Sequence, residues 1–116
     1  MGNHDPDDPV AVYVREVGSL TPLAKDEETQ LFRQLAGERD WDEARENVAR
    51  RIIEGHLAQV VSIAQKHSES GTPLLDLIQE GNKGLLNAVR SFAERPIGDF
   101  SDYAATCIDE AIRDSC

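Results

Sequence analysis

The chain has 116 residues with 22 Asp and Glu against 12 Lys and Arg, a formal net charge of −10. That length gives one domain, or one domain and an arm, large enough to bury roughly 60–70% of its unfolded surface without a metal or a disulfide framework. Apolar runs of four or five residues exclude a membrane span, the opening residues lack the basic and apolar regions of a signal peptide, and the acidic balance argues against indiscriminate nucleic-acid binding. A cytoplasmic protein with a basic or locally matched partner is expected. Cys107 and Cys116 read as free thiols in that compartment.

Charge is unevenly placed. Residues 1–50 carry 6 basic and 12 acidic side chains, residues 51–95 carry 5 of each, and residues 96–116 carry 1 and 5. Residues 1–7 read as a flexible acidic arm and residues 8–116 as a single helical domain.

Asp8 followed by Pro9 is an N-cap with proline at the first helical position, and Val10, Tyr13, Val14 and Val17 form the apolar stripe of a first helix that Gly18 ends. A second helix is expected from Lys25. Asp26, Glu27 and Glu28 fill its first turn, where the macrodipole favours acids, and Leu31, Phe32, Leu35 and Ala36 form its buried stripe before Gly37 stops it. Asp40 with Glu43 is a capping-box-like start for a third helix. Trp41, Ala44, Val48, Ile52, Val60, Val61 and Ala64 then keep helical spacing for about seven turns, to Ser68–Gly71. A fourth helix runs from Pro73 to Phe92 and buries Leu74, Leu77, Ile78, Gly81, Leu85, Ala88, Val89 and Phe92. Its other face carries Asp76, Gln79, Glu80, Asn82 and Lys83. A fifth helix has the stripe Phe100, Tyr103, Ala104, Cys107, Ile108, Ala111 and Ile112. No segment alternates with period two, so the fold class is all-α, a compact bundle of about five helices.

No nucleophile, base and orienting group can be assembled, and His4, His56 and His67 fit no catalytic or metal-ligand spacing. Enzymatic activity, metals and cofactors are therefore not expected. Solvent-exposed or capping roles suit His4 and His67. Gly81 and Gly84 lie inside a helix and not in a strand-to-helix loop, so they read as close-packing positions and not as a phosphate cradle.

The stretch Asp76-Leu77-Ile78-Gln79-Glu80-Gly81-Asn82-Lys83-Gly84-Leu85-Leu86, with Val60-Val61-Ser62-Ile63-Ala64 before it, resembles region two of bacterial RNA polymerase sigma factors of the sigma-70 family. The likeness runs back to Asp8-Pro9-Val10 and forward through Phe100-Ser101-Asp102-Tyr103-Ala104, similar to the family's Phe-Ser-Thr-Tyr-Ala. The resemblance implies that the fourth helix docks Asp76, Gln79, Glu80, Asn82, Lys83 and Leu86 against the paired clamp helices of the largest subunit of core RNA polymerase. Spacings of three and four put two carboxylates and an amide on one face, where they can meet arginines in parallel. Spacing alone favours a solvated helix face, the usual fate of such a pattern; the family string carries the docking reading.

The chain departs from the family where promoter DNA is opened. The tryptophan pair of the family's string is Thr106 and Cys107 here, its Arg-Gln pair is Asp109 and Glu110, and a basic position before Phe100 is Asp99. A threonine or cysteine cannot give the roughly 1–3 kcal/mol that a base gains by stacking on an aromatic ring, and a reversed charge repels a phosphate chain. Phe100 and Tyr103 are the residual candidates for promoter-DNA contact, with core packing the competing role for each. Two functions follow from the resemblance. One is a sigma-factor domain that binds core polymerase in transcription initiation with weakened promoter melting and weak or no DNA binding of its own. The other is a stand-alone sigma-like decoy or regulator that binds polymerase or an anti-sigma protein without opening DNA.

Overall fold

The computed structural model describes residues 8–37 and 40–115. The expected arm, with His4, and the thiol of Cys116 lie outside the described residues. Six α-helices occur among them: α1 (Pro9–Gly18), α2 (Lys25–Leu35), α3 (Glu43–Glu54), α4 (Leu57–Lys66), α5 (Leu74–Glu94) and α6 (Phe100–Ser115), with a 3-10 turn at Ser68–Ser70 and no strand. The fold is an all-α bundle, as the periodicity predicts.

Local chemistry sets the ends. The Asp8 side chain accepts a hydrogen bond from the Val10 N–H at 3.0 Å, Pro9 opens α1, and Val17 is its buried residue. In α2 the buried residues are Phe32 and Leu35, and Gly37 follows with φ +81°. Ala36, expected in the buried stripe, is exposed because the helix has already ended at Leu35 and Ala36 is its non-helical cap.

The third expected helix is two. Asp42, not Asp40, caps α3, accepting from the Arg45 N–H at 2.9 Å, so Trp41 precedes the helix. The chain then leaves α-helical geometry at His56, with φ −119° and ψ 6°, and starts again as α4. The apolar spacing runs on through this break, so tertiary contacts make it. A Cβ on Gly55 would stand 3.2 Å from Leu23 Cγ, and the His56 ring turns inward against Phe100, with ring centroids 4.9 Å apart.

The core gathers one side of every helix. Ile52, Val60, Ala64, Leu77, Leu85, Ala88, Val89, Ala104, Ile108 and Ile112 are fully covered. The α5–α6 pair is the most extensive packing in the molecule. It requires small residues: a Cβ on Gly84 would lie 2.7 Å from the Cys107 carbonyl oxygen and 2.8 Å from Ala111 Cβ, and one on Gly81 would lie 2.7 Å from Val60 Cγ1. The helix-propensity cost of two glycines, about 1 kcal/mol each, is offset by backbone approach that no side chain permits. In α6 the buried spine is Phe100, Ala104, Ile108 and Ile112. Cys107 and Ala111 are half-buried, and Tyr103, expected on the core stripe, is 37% exposed. Four-residue steps carry the spine along one line, and Tyr103 falls off its edge.

Candidate functional site

With Leu77, Ile78, Gly81, Gly84 and Leu85 turned into the core, helical geometry sends Asp76, Gln79, Glu80 and Lys83 the other way. Asp76, Gln79 and Lys83 are exposed, while Glu80, Asn82 and Leu86 are half-buried at the edge of the helix face. Asp76, Gln79 and Lys83 thus form an outward ridge, with Glu80 on one edge and Asn82 and Leu86 on the other. Lys83 Nζ donates to Glu80 Oε1 at 3.2 Å, an i, i+3 surface pair worth at most about 1 kcal/mol and readily exchanged for a partner's cation. Asn82 Oδ1 is covered and has no hydrogen-bond partner among the described residues.

The two residues considered for DNA contact part company. Phe100 is 3% exposed and its ring is enclosed by Phe32 at 4.8 Å, Phe92 at 5.2 Å and His56 at 4.9 Å between centroids. Tyr103 lies at the surface with its ring 6.1 Å from Phe92. Phe100, Phe32 and Phe92 also floor an open cleft of about 300 Å³ between α2 and the loop before α6, with Lys25, Arg33 and Asp99 at its walls.

The acidic departures on this side are tied within the chain. Asp99 Oδ1 accepts from Lys25 Nζ at 3.0 Å, linking the α6 approach to α2, and its Oδ2 accepts from the Asp102 N–H at the start of α6. These hydrogen bonds hold the Asp99 carboxyl below the ordinary aspartate range, and the one from Lys25 raises the lysine in turn. Asp109 accepts from His67 at 2.8 Å and pairs with Arg113 Nε at 3.0 Å, fastening α6 to the end of α4.

One cluster lies outside the expected site residues. His56, 8% exposed, pairs its Nε2 with a Glu28 carboxylate oxygen and its Nδ1 with Gln59 Oε1 at 2.9 Å, while Gln59 donates to the Ser101 carbonyl at 3.0 Å. The histidine therefore joins α2, α4 and α6. Burial acts most strongly on His56 and by itself lowers its pKa; the hydrogen bonds to Glu28 and Gln59 and the Glu28 charge together outweigh it, so the net shift is upward. A glycine-histidine pair inside a long apolar pattern is the one local sign of this hub. A second unforeseen contact is the Arg90 guanidinium, 4.5 Å from the centre of the Trp41 ring.

Residues 52–116 match the Sigma-70 region 2 family, more than half of the chain. The chain belongs to the sigma-70 family. Its matches among characterised sigma-70 proteins include RNA polymerase sigma factor SigA of Lactococcus lactis subsp. cremoris, 42% identical over 107 residues that make up 91% of this chain and 28% of that protein. SigA of a Bacillus species is 39% identical over 105 residues, 90% of this chain and 26% of that protein. SigA of Clostridium acetobutylicum is 38% identical over 107 residues, 91% and 26%. The chain therefore spans about a quarter of the length of the sigma factors it matches. The α5 ridge and all of α6 described here fall inside the region-two match, while α1, α2 and most of α3 precede it. Among the described residues no helix is long and apolar enough to cross a membrane, and no His, Cys, Asp and Glu side chains converge as a metal site.

Proposed function

We propose that this chain acts in transcription initiation as a sigma-factor domain, binding core RNA polymerase through the outward ridge of α5. The contact is with the clamp helices of the polymerase's largest subunit, and the residues that make it are Asp76, Gln79, Glu80, Asn82, Lys83 and Leu86. The observation that carries the reading is the orientation of the ridge: Asp76, Gln79 and Lys83 face solvent, with Glu80 at their edge, on a helix backed by glycine-mediated packing. Such a surface offers charge-assisted hydrogen bonds to arginines without reorganising. The relatives are named RNA polymerase sigma factors, which suits a non-enzymatic role in the cytoplasm.

A second reading is favoured by α6. Acids at Asp99, Asp102, Asp109 and Glu110, with Thr106 and Cys107 in place of aromatic side chains, oppose promoter DNA. On that reading the chain occupies the clamp or captures an anti-sigma protein without melting a promoter.

The first reading, and the second where the chain occupies the clamp, predict that Glu80→Lys weakens binding to core polymerase by about 1–3 kcal/mol, the usual loss for a charged interface contact. Unchanged affinity in that titration would remove the ridge as the site. A promoter-opening assay on the same complex separates the two. Single-stranded promoter DNA is expected to bind negligibly at moderate salt, and tight salt-sensitive binding would restore full melting function.

A further inference from the structure

On the α5 ridge, Asp76 and Glu80 lie in the N-terminal half. Beyond them, Leu86 leans toward α3 and joins the Trp41 ring in lining a groove of about 220 Å³, with Ala49 and Ile53 of α3 contributing apolar surface. Arg50, Arg90 and Glu46, all exposed, complete its lining. Along the helix Asp76 and Glu80 come first, then Lys83, then Arg90 about 15 Å beyond Glu80 at 1.5 Å per residue, and Glu94 closes it.

We infer that the groove between Trp41 and Leu86 is a second half of the polymerase docking site. It receives an apolar side chain with a neighbouring carboxylate from the same partner helix whose arginines meet Asp76 and Glu80. This rests on the docking role proposed for the ridge. Leu86 belongs to both surfaces, so a partner helix laid along α5 over that length runs from the acids to the groove. Two arginines against one glutamate favour a carboxylate there. The Arg90 guanidinium lies over the Trp41 ring, 4.5 Å from its centre, and cation–π attraction holds this charge beside the groove. An anchor of tryptophan and arginine around a small apolar pocket is the composition from which interfaces draw most of their affinity. A phosphate chain fits less well, because Glu46 in the groove and Asp76 and Glu80 on the same ridge repel it.

Trp41 is the chain's single tryptophan, so its emission reports on this groove directly. The probe is a tryptophan-free clamp-helix fragment carrying a dye for anisotropy, titrated against the full chain and against Glu80→Lys, Arg90→Glu and Arg90→Gln, each checked for helicity by circular dichroism. On binding, Trp41 emission is expected to move to shorter wavelength and become less accessible to acrylamide. Arg90→Glu is expected to weaken binding roughly tenfold, and Arg90→Gln by less. Binding that depends on Glu80 but leaves Trp41 emission unchanged and Arg90→Glu within twofold overturns the groove and leaves the ridge standing. Fragment binding that is absent, or indifferent to Glu80→Lys, overturns the ridge and the groove with it. A Trp41 response to single-stranded DNA and not to the fragment overturns the groove as a protein site.

Discussion

Helices α5 and α6 lie against each other and use their acids in opposite ways. On α6 and its approach, Asp99 is bound to Lys25 of α2, and Asp109 to His67 at the end of α4 and to Arg113. On α5, Glu80 has only the local Lys83 pair, and Asp76 stands in the exposed first turn. Charge reversals that look like simple loss of DNA affinity thus also fasten α6 to its neighbours. Asp76 and Glu80 make no ion pair to another helix among the described residues and are left to meet a partner. Two faces of similar composition are told apart by whether their charged groups are answered from other elements of the same chain.

The contrast is most easily broken within α6. Phe100→Ala is expected to cost about 3–5 kcal/mol of unfolding free energy in a denaturant titration, since it empties an enclosed aromatic site, whereas Tyr103→Ala should cost about 1 kcal/mol or less. Equal costs would contradict the division between core and surface on that helix. Next in size, Gly84→Val should destabilise by roughly 2–3 kcal/mol, because its side chain would press on the Cys107 backbone and Ala111, which cannot retreat without separating the helices. A neutral result would show that the ridge is not held by close packing.

The His56 hub sharpens the comparison through pH. The folded state holds the proton on His56 more tightly than the unfolded state, so its contribution is complete below the ordinary histidine pKa and is lost as pH rises through the higher folded value. Stability measured across neutral pH should therefore fall with rising pH, and Glu28→Gln should flatten that slope. A slope unaffected by Glu28→Gln would place the linkage elsewhere. The smallest effect is expected for Asp109→Asn, at most about 1 kcal/mol, because its pair with His67 is partly open to water. A larger loss would make that fastening a principal support of α6.

Much of this arrangement is legible in the chain as written. The α5 ridge follows from helical spacing, because Leu77, Ile78, Gly81 and Leu85 define one side and so leave Asp76, Gln79, Glu80 and Lys83 on the other. Asp8-Pro9 and Gly37 mark helix ends through local backbone chemistry that needs no partner. Gly81 and Gly84 announce close packing for the same reason: a missing Cβ inside a helix has a cost that only a near neighbour offsets.

Other features depend on residues far apart in the chain. The apolar spacing from Val48 to Ala64 is continuous, yet the helix breaks at His56, because Leu23 packs on Gly55 and Glu28 draws the imidazole inward from another helix. Tyr103 satisfies the apolar pattern of α6 and still faces water, since the spine from Phe100 to Ile112 already fills the space against its neighbours. Trp41, just before α3, and Arg90 of α5 meet with no periodic relation between them. Local spacing decides which side of a helix is apolar. The packing of helices on one another decides where that helix must stop, and which of its polar groups remain for a partner.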